Sequence, residues 1–326
     1  MRANSKWWLF QWWLFPLLLC LSPAAWAQEF PSRPMRLVVL YPPGGQPDNI
    51  ARTLAPSVSA MLGQQLVVEN RPGGSGLTGI QEVTRNPADG YTLLSADAGQ
   101  WASLPALRPG VYDFEKLFAP IALVSTSSLY ITVRSAVPAT TIQELIALAK
   151  SKPGSLNYGS AGNGTVHHLF MESFKAAIGL DIVHVPYKGS SQIVPALLAG
   201  DIGIAVTATA STGAFVKSGQ MRLLATTTRD RSRLTPEVPS MGDLGQPDLS
   251  FAGEVGYFAP AGTPRAVIDR LAGALAKSVQ QADIVQRMEG LGVVMTHLNP
   301  EQLAQHVRAD VARYTKAVKI SGAKVD

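Results

Sequence analysis

The chain of 326 residues has a single cysteine, Cys20, and it sits inside an apolar N-terminal segment. If that segment is removed, no thiol remains for a disulfide, a nucleophile or a metal ligand. Five of the six tryptophans (7, 8, 12, 13 and 26) lie in the same segment, which leaves Trp101. Further along, no uninterrupted apolar run reaches the ~18 residues that a membrane span needs. No block of like charge points to a nucleic acid or a membrane surface as partner. The Gly-Lys-Ser/Thr end of a P-loop and the Gly-x-Ser-x-Gly elbow of hydrolases are both missing. Neither a repeat nor a low-complexity stretch is visible, and no cofactor or metal is expected.

What is present begins with a targeting signal. Arg2 and Lys6 precede an apolar stretch from Trp7 to Leu21, and Ala25-Trp26-Ala27 fits a small-x-small cleavage site. Cleavage after Ala27 would leave a chain of 299 residues starting at Gln28. A lipidated Cys20 is the alternative, but Leu19 stands where a small residue is expected. Removing two of the 28 basic residues and none of the 23 acidic ones leaves a mild net charge of +3. A chain of this length exceeds one comfortable core and suggests two lobes.

Strand-like and helix-like segments alternate, which predicts an α/β class with mostly parallel sheets. Met35–Leu40 reads as a buried strand. Ile50, Leu54, Val58 and Met61 recur at helical spacing, with a kink expected at Pro56. Further strands are expected over Gln65–Glu69, Tyr91–Ser95, Leu156–Gly159, Ile182–Val185 and Ile202–Val206. Helices are expected over Leu77–Arg85 and from Thr165 to Ile178. Thr141 and Glu144 have capping-box spacing. Thr263-Pro264 and Asn299-Pro300 each place a cap before a helix-starting proline.

Two glycine loops join a strand to a helix start. The first is Tyr41-Pro42-Pro43-Gly44-Gly45-Gln46-Pro47-Asp48, the second Gly159-Ser160-Ala161-Gly162-Asn163-Gly164-Thr165. A helix start has orphan N–H groups and partial positive charge, so bare backbone there suits a carboxylate or phosphate. The same residues also make plain corners. Asp48 can be a helix-dipole partner, and Ser160, Asn163 and Thr165 can be caps. His167 and His168 are adjacent, so they face different sides of a helix and do not form a metal pair.

Six segments carry a family resemblance: YPPGGQPDNIAR (41–52), LVVENRPGGSG (66–76), ADGYTLL (88–94), LNYGSAGNGTVHHL (156–169), HVPYKGS (184–190) and EVGYFAPAGTP (254–264). In this order they resemble the periplasmic solute-binding proteins of tripartite tricarboxylate transporters, the Bug or TctC family. The resemblance implies a two-lobed α/β fold of the type II periplasmic-binding-protein kind, with parallel-rich sheets flanked by helices and a ligand cleft between lobes. It places 28–124 and 230–326 in lobe 1 and 125–229 in lobe 2. It also implies a small organic carboxylate as ligand, membrane permease subunits as partners, a monomer and a periplasmic location. Carried over by position, the ligand-binding residues are Pro43, Gly44, Gly45, Asp48, Tyr158, Ser160, Gly164, Thr165, His168 and Tyr187, with Gly76 and the stretch from Ser95 to Gln100 lining the first lobe. Lys188 is a weaker candidate.

The chain departs from the family at Gln46-Pro47, at Asp97-Ala98-Gly99-Gln100-Trp101 and at Thr207, where no acid follows the strand. Asp97, Trp101 and Thr207 are therefore expected to shape the far end of the pocket and Gln46 to add an amide at the first loop, with Trp101 either in the core or as a stacking wall. Two other functions fit parts of the pattern. One is a sensor that presents its closed form to a membrane receptor. The other is a hydrolase built on Ser160 and His168.

Overall fold

The computed structural model describes residues 30–187 and 192–324; the expected signal segment with Cys20, and Lys188, lie outside them. The first lobe opens with β1 (Met35–Val39), α1 (Gln46–Leu62), β2 (Leu66–Asn70), α2 (Leu77–Thr84) and β3 (Thr92–Ala96). Short helices α3 (Leu104–Leu107) and α4 (Phe114–Leu117) lead into the long strand β4 (Phe118–Arg134). Then come α5 (Ile142–Ser151), β5 (Asn157–Ser160), α6 (Val166–Ile178), β6 (Val183–Pro186), α7 (Ile193–Ala199), β7 (Ile204–Ala208), α8 (Thr209–Lys217) and β8 (Met221–Thr226). The chain closes with β9 (Ala252–Pro260), α9 (Arg265–Ser278), α10 (Ala282–Glu289), β10 (Val294–Leu298) and α11 (Pro300–Ser321).

Two sheets share one strand. Up to Ser128, β4 pairs with β9; from Leu129 it pairs with β7, and from Tyr130 also with β8. β4 is thus one element that passes between lobes. The chain returns between β8 and β9, where Phe251 N–H bonds to Thr227 O at 2.8 Å. The flanking strands pair in parallel (β1 with β2 and β3, β5 with β6 and β7), whereas β4 and β9 run antiparallel to their neighbours. Both sheets are mixed for that reason.

Several expectations are refined. The strands after β1 start and end about one residue later than read, because alternation locates a strand better than its ends. Leu62, not Met61, completes the buried row of α1, which keeps an i+4 rhythm through Ile50, Leu54 and Val58. The helix remains one element across Pro56. The Thr141 hydroxyl accepts from Glu144 N–H at 3.2 Å, but Glu144 reaches back to Thr140 N–H, so the box is offset by one residue. Pro264 itself occupies the cap of α9, while Asn299 and Gln302 form a full box on α11. One apolar core runs from Leu94 and Phe258 of the first sheet to Val206 of the second and Phe170 of α6. It includes Leu303, Val307 and Tyr314 of α11. The C-terminal helix therefore packs on both lobes.

Candidate functional site

Helices α1 and α6, one from each lobe, open onto a single cavity of about 740 Å³. That size suits a small ligand. Gly45, Gln46, Gly76 and Asp97 line it from the first lobe, and Gly164 and Thr165 from the second. Gln46 and Pro47 begin α1; Val166 and His167 begin α6. N–H groups in the first turn of a helix have no carbonyl behind them, so they need another acceptor. No lysine or arginine occurs among the described residues lining the cavity.

The other expected contacts lie behind this wall. Pro43 and Gly44 form the outer bend of the first loop, where Gly44 N–H donates to Asp48 Oδ2 at 2.9 Å. Asp48 is 2% exposed and also accepts from Arg52 Nε and Asn70 Nδ2, at 3.0 and 2.9 Å. Burial raises its carboxyl, but these donors outweigh burial and hold it below the usual carboxylate value. Asp48 therefore braces the loop and does not face a ligand. Tyr158 and Ser160 are inside β5 and fully buried; Tyr158 donates to Glu172 at 2.6 Å. Thr207 is buried in β7 and shares a 2.7 Å hydrogen bond with Thr132. The Tyr187 ring lies near Gly159, away from the cavity wall.

His168 acts through the loop. Its Nδ1 accepts from Gly164 N–H at 3.0 Å. Its ring stacks on His184 with centroids 4.3 Å apart. Ser160 Oγ pairs with His184 Nε2 at 2.7 Å, so the Ser160–His168 pair expected of a hydrolase is not formed. Trp101 is a core residue: it is fully buried and its Nε1 donates to Asp310 at 2.8 Å.

Sequence reasoning missed three parts of the wall. His167 follows directly on the second loop and lines the cavity, with Nδ1 buried and unpartnered. Ser103 and Leu107 reach across from the first lobe; Ser103 Oγ donates to Gly164 O at 3.1 Å. Glu254 and Tyr314 come from β9 and α11, far along the chain. The return crossing was a usable signal for Glu254, since a crossing strand borders the cleft; nothing local marks Tyr314.

Glu254, His306 and Asp310 offer ligand atoms within 4.8 Å of one another, a spacing that could suit a metal. Several of these ligand atoms are already engaged. His306 Nε2 meets Glu254 Oε2 at 2.7 Å, and Asp310 takes both Trp101 Nε1 and Arg313. Burial lowers His306, but Glu254 and Asp310 outweigh it and raise the imidazole above its usual value. The arrangement is an ion-pair network that holds Asp310 and one oxygen of Glu254.

Burial pushes His167 and His184 down to about 4. Both are neutral near pH 7 when folded, whereas unfolded histidine takes a proton near pH 6.5. Their stabilisation is therefore complete above pH 6.5 and is lost as pH falls toward 4. For His167 the loss approaches about 3 kcal/mol. Urea unfolding between pH 7 and 4.5 checks this. The midpoint should fall, and His167→Gln should flatten the fall; an unchanged slope in that variant would contradict it.

The family model for the tripartite tricarboxylate transporter family receptor matches residues 50–322. A protein encoded in the tcbD-tcbE intergenic region of Pseudomonas sp. strain P51 is 34% identical over 290 residues, covering 89% of this chain and 86% of that one. The Rhodopseudomonas palustris protein Rpa4515, solved with adipate, is 29% identical with a TM-score of 0.76, covering 91% of this chain and 99% of its own. MatC of the same organism, solved with malate, is 26% identical with a TM-score of 0.71, covering 89% of this chain and 100% of its own.

Proposed function

This chain belongs to the tripartite tricarboxylate transporter receptor family, and from that premise we propose that it captures a small organic carboxylate and delivers it to a membrane transporter of that type. The observation that carries the proposal is the meeting of two helix N-termini, one from each lobe, at one cavity without a lysine or arginine among the described lining residues. Such a site favours an anion through backbone N–H groups and the helix dipoles. The adipate and malate complexes of the two R. palustris relatives support a carboxylate as the class of ligand.

The contacts we assign are Gly45, Gln46, Gly76, Asp97, Gly164 and Thr165. Pro43, Gly44, Asp48, Ser160 and His168 would hold the two loops in place. The moving units would be 28–124 with 230–326 and 125–229, turning about the crossings near Ser128 and Thr227. Ligand would stabilise the closed arrangement because only there does it touch both loops. Export through a signal removed after Ala27 would place the protein in the periplasm, as a monomer. A receptor that reads the closed form, in place of a permease, would use the same cavity.

Thermal melting of the purified chain against a panel of small carboxylates tests the proposal. At least one acid should raise the melting point progressively with its concentration, with about 2.7 kcal/mol of added stability at a hundredfold excess over Kd. A folded protein that no organic anion stabilises would overturn it.

A further inference from the structure

The cavity has two chemically unlike poles. Helix N-termini make one of them. The other is built from carboxylates. Asp97 Oδ2 accepts from Tyr41 OH at 2.6 Å and Oδ1 from Gly99 N–H at 2.7 Å. Gln100 Nε2 donates to Tyr41 OH at 3.1 Å, and Gln100 Oε1 takes Asp97 N–H at 3.0 Å. The Tyr41 hydroxyl and Gly99 N–H are both spent on Asp97, and Gln100 Nε2 spends one of its two N–H groups on Tyr41. Each carboxylate oxygen has two lone pairs, so Asp97 keeps acceptor capacity on its open side. Burial holds its carboxyl above the usual carboxylate value, although the Tyr41 and Gly99 donors pull it down.

Glu254 lines the same cavity and is held from behind by His306. Burial raises the Tyr314 hydroxyl well above the usual value, and Asp310, Glu254 and Asp97 add to it. Asp97, Glu254 and Tyr314 thus all line this cavity. A second carboxylate brought beside Asp97 would meet like charge.

We infer that, given the carboxylate reading of the site, the ligand is a monocarboxylate with a cationic or N–H donor group at its far end, and that Asp97 selects that group. A dicarboxylate matches one pole and is repelled by the other. An ω-amino carboxylate matches both: its anion meets the N-termini of α1 and α6, and its ammonium meets Asp97 and Glu254. Discrimination then comes from a repulsive element as much as from an attractive one.

Calorimetric titration of the purified chain with matched probes tests this. The probes are α,ω-dicarboxylates and ω-amino carboxylates of three to six carbons, compared at equal length. The amino acid should bind at least about tenfold more tightly at the best length. Asp97→Asn should erase that preference, chiefly by weakening the amino acid. Wild-type binding of a dicarboxylate as tight as that of the amino acid would overturn the inference and leave the carboxylate reading standing. A preference that survives in D97N would remove Asp97 from it. Failure of every carboxylate, mono- or di-, to bind the folded chain would overturn both.

Discussion

Gly164→Ala is expected to weaken carboxylate binding at least about tenfold, with the chain still folded. Gly164 has φ +74°, a left-handed backbone that costs an alanine about 1–2 kcal/mol. A Cβ there would stand 2.7 Å from Leu107 Cδ1, which reaches over from the other lobe. The same glycine places its carbonyl on Ser103 Oγ and its N–H on His168 Nδ1. Added bulk therefore acts where the two loops approach each other, and it penalises the closed, ligand-holding arrangement. Calorimetry reads the affinity, and the double variant with Leu107→Ala separates crowding from backbone strain. Partial recovery in the double variant is expected. Unchanged affinity in Gly164→Ala would remove this loop from the site.

Asp310→Ala is expected to cost about 3–5 kcal/mol of stability, the range for breaking a buried charge network by removing one partner. Asp310 is fully buried and serves Trp101 Nε1 and Arg313, with His306 Nε2 at 3.5 Å. Its loss leaves an indole N–H and a largely buried guanidinium without an acceptor. It also loosens His306, and with it the side of the cavity where Glu254 lies. Asp310→Asn keeps an acceptor for Trp101 and should lose less. Urea unfolding measures both, and a loss below about 1 kcal/mol in the alanine variant would contradict this account.

The repeating strand, glycine loop and helix were legible because each has a local cause. Apolar runs mark strands, and the turn residues after them mark helix starts. Gly45, Gln46, Gly164 and Thr165 reach the cavity since they lie past the ends of β1 and β5, where an open α/β sheet presents its loops. Tyr158, Ser160 and Thr207 lie within strands. Strand side chains stand off the two faces of the sheet, so helices cover them and they cannot face the cleft. Asp48 carried the correct charge for a helix start but turns its carboxylate into the loop. Motif spacing gives position along the chain; it does not give the side of the backbone on which a group ends.

What stayed hidden depends on contacts across long separations. Trp101 meets Asp310 over 209 positions, and Gln46 Nε2 meets Ser127 Oγ over 81, at 3.0 Å. Ser127 in turn donates to Gly253 O at 3.0 Å. The unusual Gln46 therefore ties the first loop to β4, which passes between lobes, and to β9, which follows the return crossing. No local pattern announces that link. It follows only once β4 and β9 are known to pair side by side.

The most direct test of the central claim is a crystal structure of the chain with a bound small carboxylate. The account predicts carboxylate oxygens within hydrogen-bonding distance of first-turn backbone N–H groups of both α1 and α6, with Gly45 and Gly164 against the ligand. A carboxylate bound outside this cavity, or held there by a lysine or arginine side chain in place of the two helix starts, would contradict it.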